Sequence, residues 1–154
     1  MIKLLSLSFN NIGRFTITQE FDFNSDDKLI LVDGPSGSGK STIFNALDYL
    51  LGISLVPATQ LQCRYTTKPI IVTGIFDMDG QIVEITRNKK DGLSIKIGEQ
   101  LFEGLNDIVD EKLDQLLGIP RKLFKRMIHK PQKEGGFFLS LTAKQSFEFL
   151  IEVL

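Results

Sequence analysis

Hydrophobic positions change period along the chain, and each change marks an element. Leu5, Leu7 and Phe9 alternate with Ser6 and Ser8, so the N-terminus predicts a strand. Asn10-Asn11-Ile12-Gly13 is a turn. Phe15, Ile17, Phe21 and Phe23 then alternate with Thr16, Thr18, Glu20 and Asp22, a second strand with one polar face, and Asn24-Ser25-Asp26-Asp27 is a loop. Leu29, Ile30, Leu31 and Val32 form an unbroken apolar run, as expected of a strand buried on both faces of a parallel sheet. Ile43, Leu47, Leu50 and Leu51 follow at helical spacing, and Gly52 supplies a stop.

Past Gly52 the pattern becomes a meander. Ile70 to Phe76 is β-rich, Asp77-Met78-Asp79-Gly80 is a hairpin turn, and Gln81 to Arg87 returns with Ile82, Val83 and Ile85. Asp91-Gly92 leads to Leu93, Ile95 and Ile97, which alternate with Ser94 and Lys96. Asn106 can cap a helix to Leu117, with Val109, Leu113, Leu116 and Leu117 on one side and Gly118-Ile119-Pro120 ending it. Leu123, Phe124, Met127 and Ile128 form another stripe. Thr142-Ala143-Lys144-Gln145 has the capping-box pattern, and Phe147, Leu150, Ile151 and Leu154 continue at helical spacing to the last residue.

Between the apolar run and the first helix lies Gly34-Pro35-Ser36-Gly37-Ser38-Gly39-Lys40-Ser41-Thr42, which fills the template G-x-x-x-x-G-K-[ST] of a phosphate-binding loop. Backbone N–H groups at the positive end of a helix can hold the charge of a triphosphate. Gly34, Gly37 and Gly39 allow the tight bend and close approach that this requires. Lys40 is placed to reach the β- and γ-phosphates, and the Ser41 hydroxyl to ligate Mg²⁺. An α/β nucleotide-binding fold is expected, with an antiparallel layer where a simple mononucleotide fold would continue with βαβ units.

Composition narrows the rest. The 154 residues suffice for one domain with a sizeable core, and a net charge of -1 gives no global pull toward nucleic acid or membrane. Cys63 is the only cysteine and His129 the only histidine, which excludes an internal disulfide, a cysteine zinc cluster and a two-histidine metal site. MIKLLSLSF is too short and too alternating for a signal peptide, and no apolar run could span a bilayer, so a reducing cytoplasm is expected.

Several residues leave two readings open. Arg14 is a solvated turn residue or a contact to phosphate or DNA. Leu55 to Lys68 lacks a period and predicts a long loop, plain surface or a border for a base or DNA through Thr59, Gln62 and Arg64. Arg121, Lys122, Lys125, Arg126 and His129 lie opposite the apolar stripe, with Lys130 and Lys133 beyond. They form a solvated face or a surface for DNA phosphates or an acidic partner. His129 has no acidic neighbour to tune it, and no catalytic role is expected for it.

The order of these motifs resembles a family. Asn11-Ile12-Gly13-Arg14-Phe15 in a hairpin, GPSGSGKST, an antiparallel meander, then Phe124-x-Arg126-x-Ile128-x-x-Pro131-Gln132 with Phe137-Phe138-Leu139 behind it is similar to the N-terminal half of the ATPase head of SMC-like DNA-repair proteins. These include the SbcC type and its phage recombination-nuclease counterparts. The resemblance implies an α/β P-loop NTPase of the ABC/SMC-type head, with residues 1–141 as the N-terminal lobe and 142–154 as the root of a coiled-coil helix. It implies ATP and Mg²⁺ as cofactors, with Gln132 as metal ligand and sensor of the γ-phosphate beside Lys40, Ser41 and Arg14. Partners implied are a C-terminal lobe, a second head, a partner nuclease and double-stranded DNA, at the nucleoid. Ser36 stands where the family usually has Asn, and His129-Lys130 where apolar residues usually precede Pro-Gln.

No apolar strand ending in Asp-Glu and no Leu-Ser-Gly-Gly signature is found; in the family both lie in the C-terminal half. This chain alone is therefore expected to bind Mg-ATP weakly and not to hydrolyse it efficiently. Two alternatives belong to other classes. One is a small P-loop kinase, because GPSGSGKST also resembles the loop of guanylate kinases. The other is a nucleotide-regulated binding module that recruits DNA or a partner through Arg121 to Lys133.

Overall fold

A computed structural model describes residues 1–23, 29–104, 107–128 and 142–153. Its framework is a six-stranded sheet in the order β2-β1-β3-β4-β5-β6. The strands are β1 (Ile2–Asn10), β2 (Gln19–Asp22), β3 (Ile71–Met78), β4 (Gln81–Asn88), β5 (Gly92–Ile97) and β6 (Gln100–Gly104). Every neighbouring pair is antiparallel. Alternation explains the faces. The row Phe21, Leu7, Gly74, Ile85, Ile95 and Phe102 crosses the sheet on the core side. The row Glu20, Ser8, Thr73, Thr86, Ser94 and Glu103 crosses it on the other side, with the Thr73 and Thr86 hydroxyls 2.9 Å apart. The β3–β4 turn carries positive φ at Asp79 and Gly80, the backbone a two-residue hairpin demands.

Helix α1 (Lys40–Leu50) and helix α3 (Asp107–Leu117) cover the core side. Leu50 of α1 is fully buried, and Gly74 makes room for it: a Cβ on Gly74 would stand 2.7 Å from Leu50 Cδ2. Leu7, Phe9, Ile12, Ala46, Ile70, Val72, Val83, Ile85, Ile95 and Leu113 complete the centre of the core. Two further short helices are α2 (Ala58–Leu61) and α4 (Arg121–Ile128), and the last element is α5 (Ala143–Val153). Asn106, the expected cap of α3, lies outside the described residues.

Four features depart from the sequence expectation. Leu29–Val32 is not a strand: Leu29 and Leu31 are 88% and 86% exposed. The sheet is antiparallel throughout, and among the described residues no parallel strand lies beside this run to bury it. The second strand is confined to Gln19–Asp22, with Ile17 exposed. The sequence pattern does not mark β6, because Leu101-Phe102 breaks the alternation seen in its neighbours. The long loop holds α2, and it is pinned to the β1–β2 tip by Gly13 N–H to Leu61 O (2.8 Å) and Cys63 N–H to Asn11 O (2.9 Å).

The basic face of α4 is also used differently. Leu123 and Phe124 are buried as expected, but Arg121 and Lys125 are drawn inward. Arg121 pairs with Asp110 (2.6 Å) and Asp114 (2.8 Å) of α3, and Arg87 of β4 reaches the same Asp110 at 3.2 Å. Lys125 donates to Asp48 (3.3 Å) on α1 and to the Ile53 carbonyl (2.8 Å). These two cations are therefore structural ties, not part of an open phosphate-binding face. His129, Lys130 and Lys133 lie outside the described residues.

Candidate functional site

The glycine loop leads directly into α1, and its geometry follows from its residues. Gly34, Gly37 and Gly39 all have positive φ, of 151°, 78° and 102°. Gly39 occupies the N-cap of α1 in a left-handed conformation, and among the described residues no side chain caps that helix end. A helix start without a side-chain cap leaves its first N–H groups to a ligand or to water. At Gly37 an added Cβ would meet nothing within 4 Å, so the loop apex borders open space. At Gly39 it would meet the Phe15 ring at 2.6 Å. The β1–β2 tip thus lies directly on the loop.

That tip contributes chemistry as well as packing. Arg14, exposed in its turn, donates from Nη1 to the Gly37 carbonyl at 2.7 Å, so the structure brings it beside the phosphate loop. Lys40 folds over its own loop and donates from Nζ to the carbonyls of Gly34 (2.5 Å) and Pro35 (2.8 Å). Pro35, Ser36 and Ser41 are exposed, while Ser38 and Thr42 are half-buried. Ser38 N–H closes a turn onto Pro35 O at 3.2 Å, and Thr42 N–H bonds Gly39 O at 2.9 Å. A Cβ on Gly13 would touch the Thr42 hydroxyl at 3.0 Å, a second close approach between tip and helix.

The site therefore gathers two cations and three positive-φ glycines at one helix start. Ordinary ammonium and guanidinium contacts to backbone carbonyls can be exchanged for stronger, charge-assisted bonds to phosphate oxygens. Gln132, the expected metal ligand and γ-phosphate sensor, lies outside the described residues. Among the described residues no group of three or more His, Cys, Asp or Glu side chains could hold a metal ion. Any Mg²⁺ here would depend on a hydroxyl such as Ser41 together with the phosphates themselves, the usual pattern for this ion.

Sequence reasoning did not assign the supporting residues. Phe15 packs on Gly39 and, edge-on at 5.8 Å, on Phe9, linking the loop to the core. At the other end of α1, Arg87 donates to the Leu50 carbonyl at 2.9 Å. Burial raises the Tyr49 phenol above its ordinary value, with the Arg87 charge opposing the shift. The signal for Phe15 was its place directly after Gly13-Arg14; none existed for Arg87, whose partners lie far along the chain.

Among the described residues no helix is long and apolar enough to cross a membrane. Comparison of sequences matches residues 6–152 to the AAA domain family. The SbcC component of nuclease SbcCD from Staphylococcus aureus strain MRSA252 is 27% identical over 167 residues, covering 94% of this chain and 16% of that protein. The same component from strain JH9 gives the same identity and coverage. This chain spans about 16% of the length of these curated relatives.

Solved structures share the fold. One, described as "Structural biochemistry of ATP-driven dimerization and DNA stimulated activation of SMC ATPases", aligns with a TM-score of 0.65 at 13% identity, over 98% of this chain and 99% of that one. The Smc head domain with coiled coil and joint from Pyrococcus yayanosii gives 0.53 at 13% identity, over 77% of this chain and 25% of that one. The recombination mediator RecF with ATP gives 0.52 at 18% identity, over 70% and 29%. The α/β P-loop NTPase fold of an SMC-type head agrees with the sequence expectation.

Proposed function

The chain belongs to the AAA domain family, and on that premise we propose that it is the ATP-binding N-terminal lobe of an SMC-like, SbcC-type ATPase. Completed by a C-terminal lobe, two such heads engage around ATP, and hydrolysis separates them. That cycle gates access of a partner nuclease to double-stranded DNA in repair or recombination. The observation that carries this reading is the meeting of Arg14, Lys40 and the three positive-φ glycines at the start of α1.

The residues present fit a nucleotide triphosphate. Among the described residues, the loop apex at Gly37 faces open space, no side chain caps the helix start, and the Lys40 ammonium is held by exchangeable carbonyls. Lys40 and Arg14 would bind and orient the phosphate charge, Ser41 would ligate Mg²⁺, and Gln132, on the family resemblance, would serve as a further metal ligand and γ-phosphate sensor. When bound, Mg-ATP supplies the phosphoanhydride whose cleavage drives the cycle. Residues of this chain supply only part of the charge neutralisation and water positioning that cleavage needs, so the isolated chain is inactive as a hydrolase.

The exposed run Leu29-Ile30-Leu31 supports a missing lobe, because an apolar segment just before a phosphate loop calls for parallel neighbours on both sides. Phe147, Leu150 and Ile151 of α5 are exposed on one helix and support the reading of that helix as the root of a coiled coil. Lys40→Ala in the completed protein tests the proposal. Head dimerisation on a non-hydrolysable ATP analogue, followed by light scattering, is expected to be lost; undiminished dimerisation would overturn the mechanism.

A further inference from the structure

One end of the sheet carries a second feature that the phosphate loop does not use. The β1–β2 tip, the segment 61–70 and the β4–β5 turn are tied into a single platform there. Ile12 bridges Gln62, Asn11 Nδ2 donates to Pro69 O at 2.8 Å, and Lys89 N–H donates to Ile70 O at 3.1 Å. Lys89 Nζ reaches Gln62 Oε1 at 2.7 Å, and Gln62 Nε2 reaches Lys68 O at 3.1 Å. These bonds lock three loops together without an ion pair.

The exposed side chains of this platform are cationic and aromatic. Arg64, Lys68, Lys89 and Lys90 are exposed, Lys89 Nζ resting on the neutral Gln62 amide, and none of them has an ion pair among the described residues. Asp91 is the acid of the β4–β5 turn, and Asn88 holds it at 2.6 Å. Tyr65, between the cations of the 61–70 segment, is 81% exposed. In contrast, Arg121 and Lys125 of α4 are occupied by Asp110, Asp114 and Asp48. Cations without an ion pair on a rigid platform suit a phosphodiester backbone, and an exposed ring among them suits an unstacked base, because every base offers a face for stacking.

We propose that Arg64, Tyr65, Lys68, Lys89 and Lys90 form a docking platform for single-stranded nucleic acid, with the cations on the phosphates and Tyr65 stacked on a base. The proposal rests on the DNA-processing role above for the identity of the polymer, but it uses neither Lys40 nor Ser41. Duplex ends that are opened during processing are the source of such a strand. A closed duplex offers phosphates without a free base face and is the poorer ligand.

Tyrosine fluorescence gives a direct readout. The chain has no Trp and two tyrosines, Tyr49 being buried and Tyr65 exposed. Oligo(dT) of about 15 nucleotides is titrated into the chain, alongside a blunt duplex and, separately, Mg²⁺ with a non-hydrolysable ATP analogue. Oligo(dT) is expected to quench the tyrosine signal and to bind more tightly than the duplex. Arg64→Ala with Lys68→Ala should reduce the slope of log K against log salt by about 1.4. Tyr65→Ala should weaken oligo(dT) binding roughly 5- to 150-fold with an unchanged slope. Both sets of side chains are exposed, so far-UV circular dichroism should be unaltered.

Equal or tighter duplex binding without quenching, or absence of binding to either polymer, overturns the platform. Loss of ATP-analogue affinity in Tyr65→Ala overturns it too, by assigning the ring to the nucleotide pocket. Oligo(dT) binding by a chain that ignores the ATP analogue would instead sink the nucleotide reading and leave the platform standing.

Discussion

Replacing Lys125 by Met separates a structural tie from a nucleic-acid contact. Lys125 Nζ lies 3.3 Å from Asp48 Oδ2 and 2.8 Å from Ile53 O, and the two charged side chains are only 16% and 11% exposed. At an effective dielectric of about 20, a unit charge pair at this separation attracts with roughly 5 kcal/mol. Desolvation of both groups cancels much of that, so the intact pair contributes little net stability. Removing one partner is different: Asp48 keeps its burial and loses its counter-charge. Asp48 has a further interaction besides Lys125, which places the cost at or just below the lower end of the range for broken buried pairs, about 2–3 kcal/mol.

Urea unfolding followed by circular dichroism reads this directly. With an m-value of about 2 kcal/mol/M, the midpoint should fall by roughly 1–1.5 M while m stays constant. Asp48→Asn in the Lys125→Met background should recover about 1–2 kcal/mol, because a neutral amide tolerates the site better than an orphaned carboxylate. DNA affinity and its salt slope should not change beyond the loss of folded chain. An unchanged midpoint combined with a shallower salt slope would refute the reasoning and return Lys125 to an open basic face.

Other substitutions probe separate parts of the account. Gly39→Ala should destabilise by about 2–4 kcal/mol, since φ of 102° strains any Cβ and the added methyl meets the Phe15 ring at 2.6 Å; thermal unfolding of this variant and of Gly37→Ala, which has the space, checks the difference. Ile85→Ala, in a fully buried position, should cost about 2–5 kcal/mol by urea unfolding. Asp110→Ala leaves Arg87 and Arg121 without their shared acceptor and should cost about 1–3 kcal/mol, lessened by salt. Because burial raises the Tyr49 phenol, the unfolded chain loses its tyrosine proton first as pH climbs. The contribution of Tyr49 to stability should be flat below about pH 10 and fall above it, and Tyr49→Phe should remove that alkaline decline in a pH series of unfolding midpoints.

The phosphate loop and α1 were legible because a glycine pattern followed by helical spacing is local information. Leu50 and Leu51 are buried where periodicity placed them, and β3, β4 and β5 follow the alternation of their sequences. The strand expected at Leu29–Val32 failed for a physical reason: a continuous apolar run specifies that it wants burial, but burial is supplied by neighbours, and among the described residues this antiparallel sheet has none to give it. The ties of α4 were hidden because Lys125 and Asp48 stand 77 positions apart. Only the fold brings such charges together. Arg14 shows the intermediate case: its sequence left a solvated turn and a contact to phosphate or DNA both open, and its bond to the Gly37 carbonyl needed the structure. The loop at 55–68 looked aperiodic because its order comes from backbone bonds to Asn11 and Gly13, which leave no mark on side-chain pattern.

The most direct test is a crystal structure of this chain with Mg²⁺ and a non-hydrolysable ATP analogue at saturating concentration. The account predicts the analogue's terminal phosphates at the start of α1, with the Lys40 ammonium transferred from the Gly34 and Pro35 carbonyls onto phosphate oxygen. A glycine loop without nucleotide, its Lys40 still bonded to those two carbonyls, would contradict it.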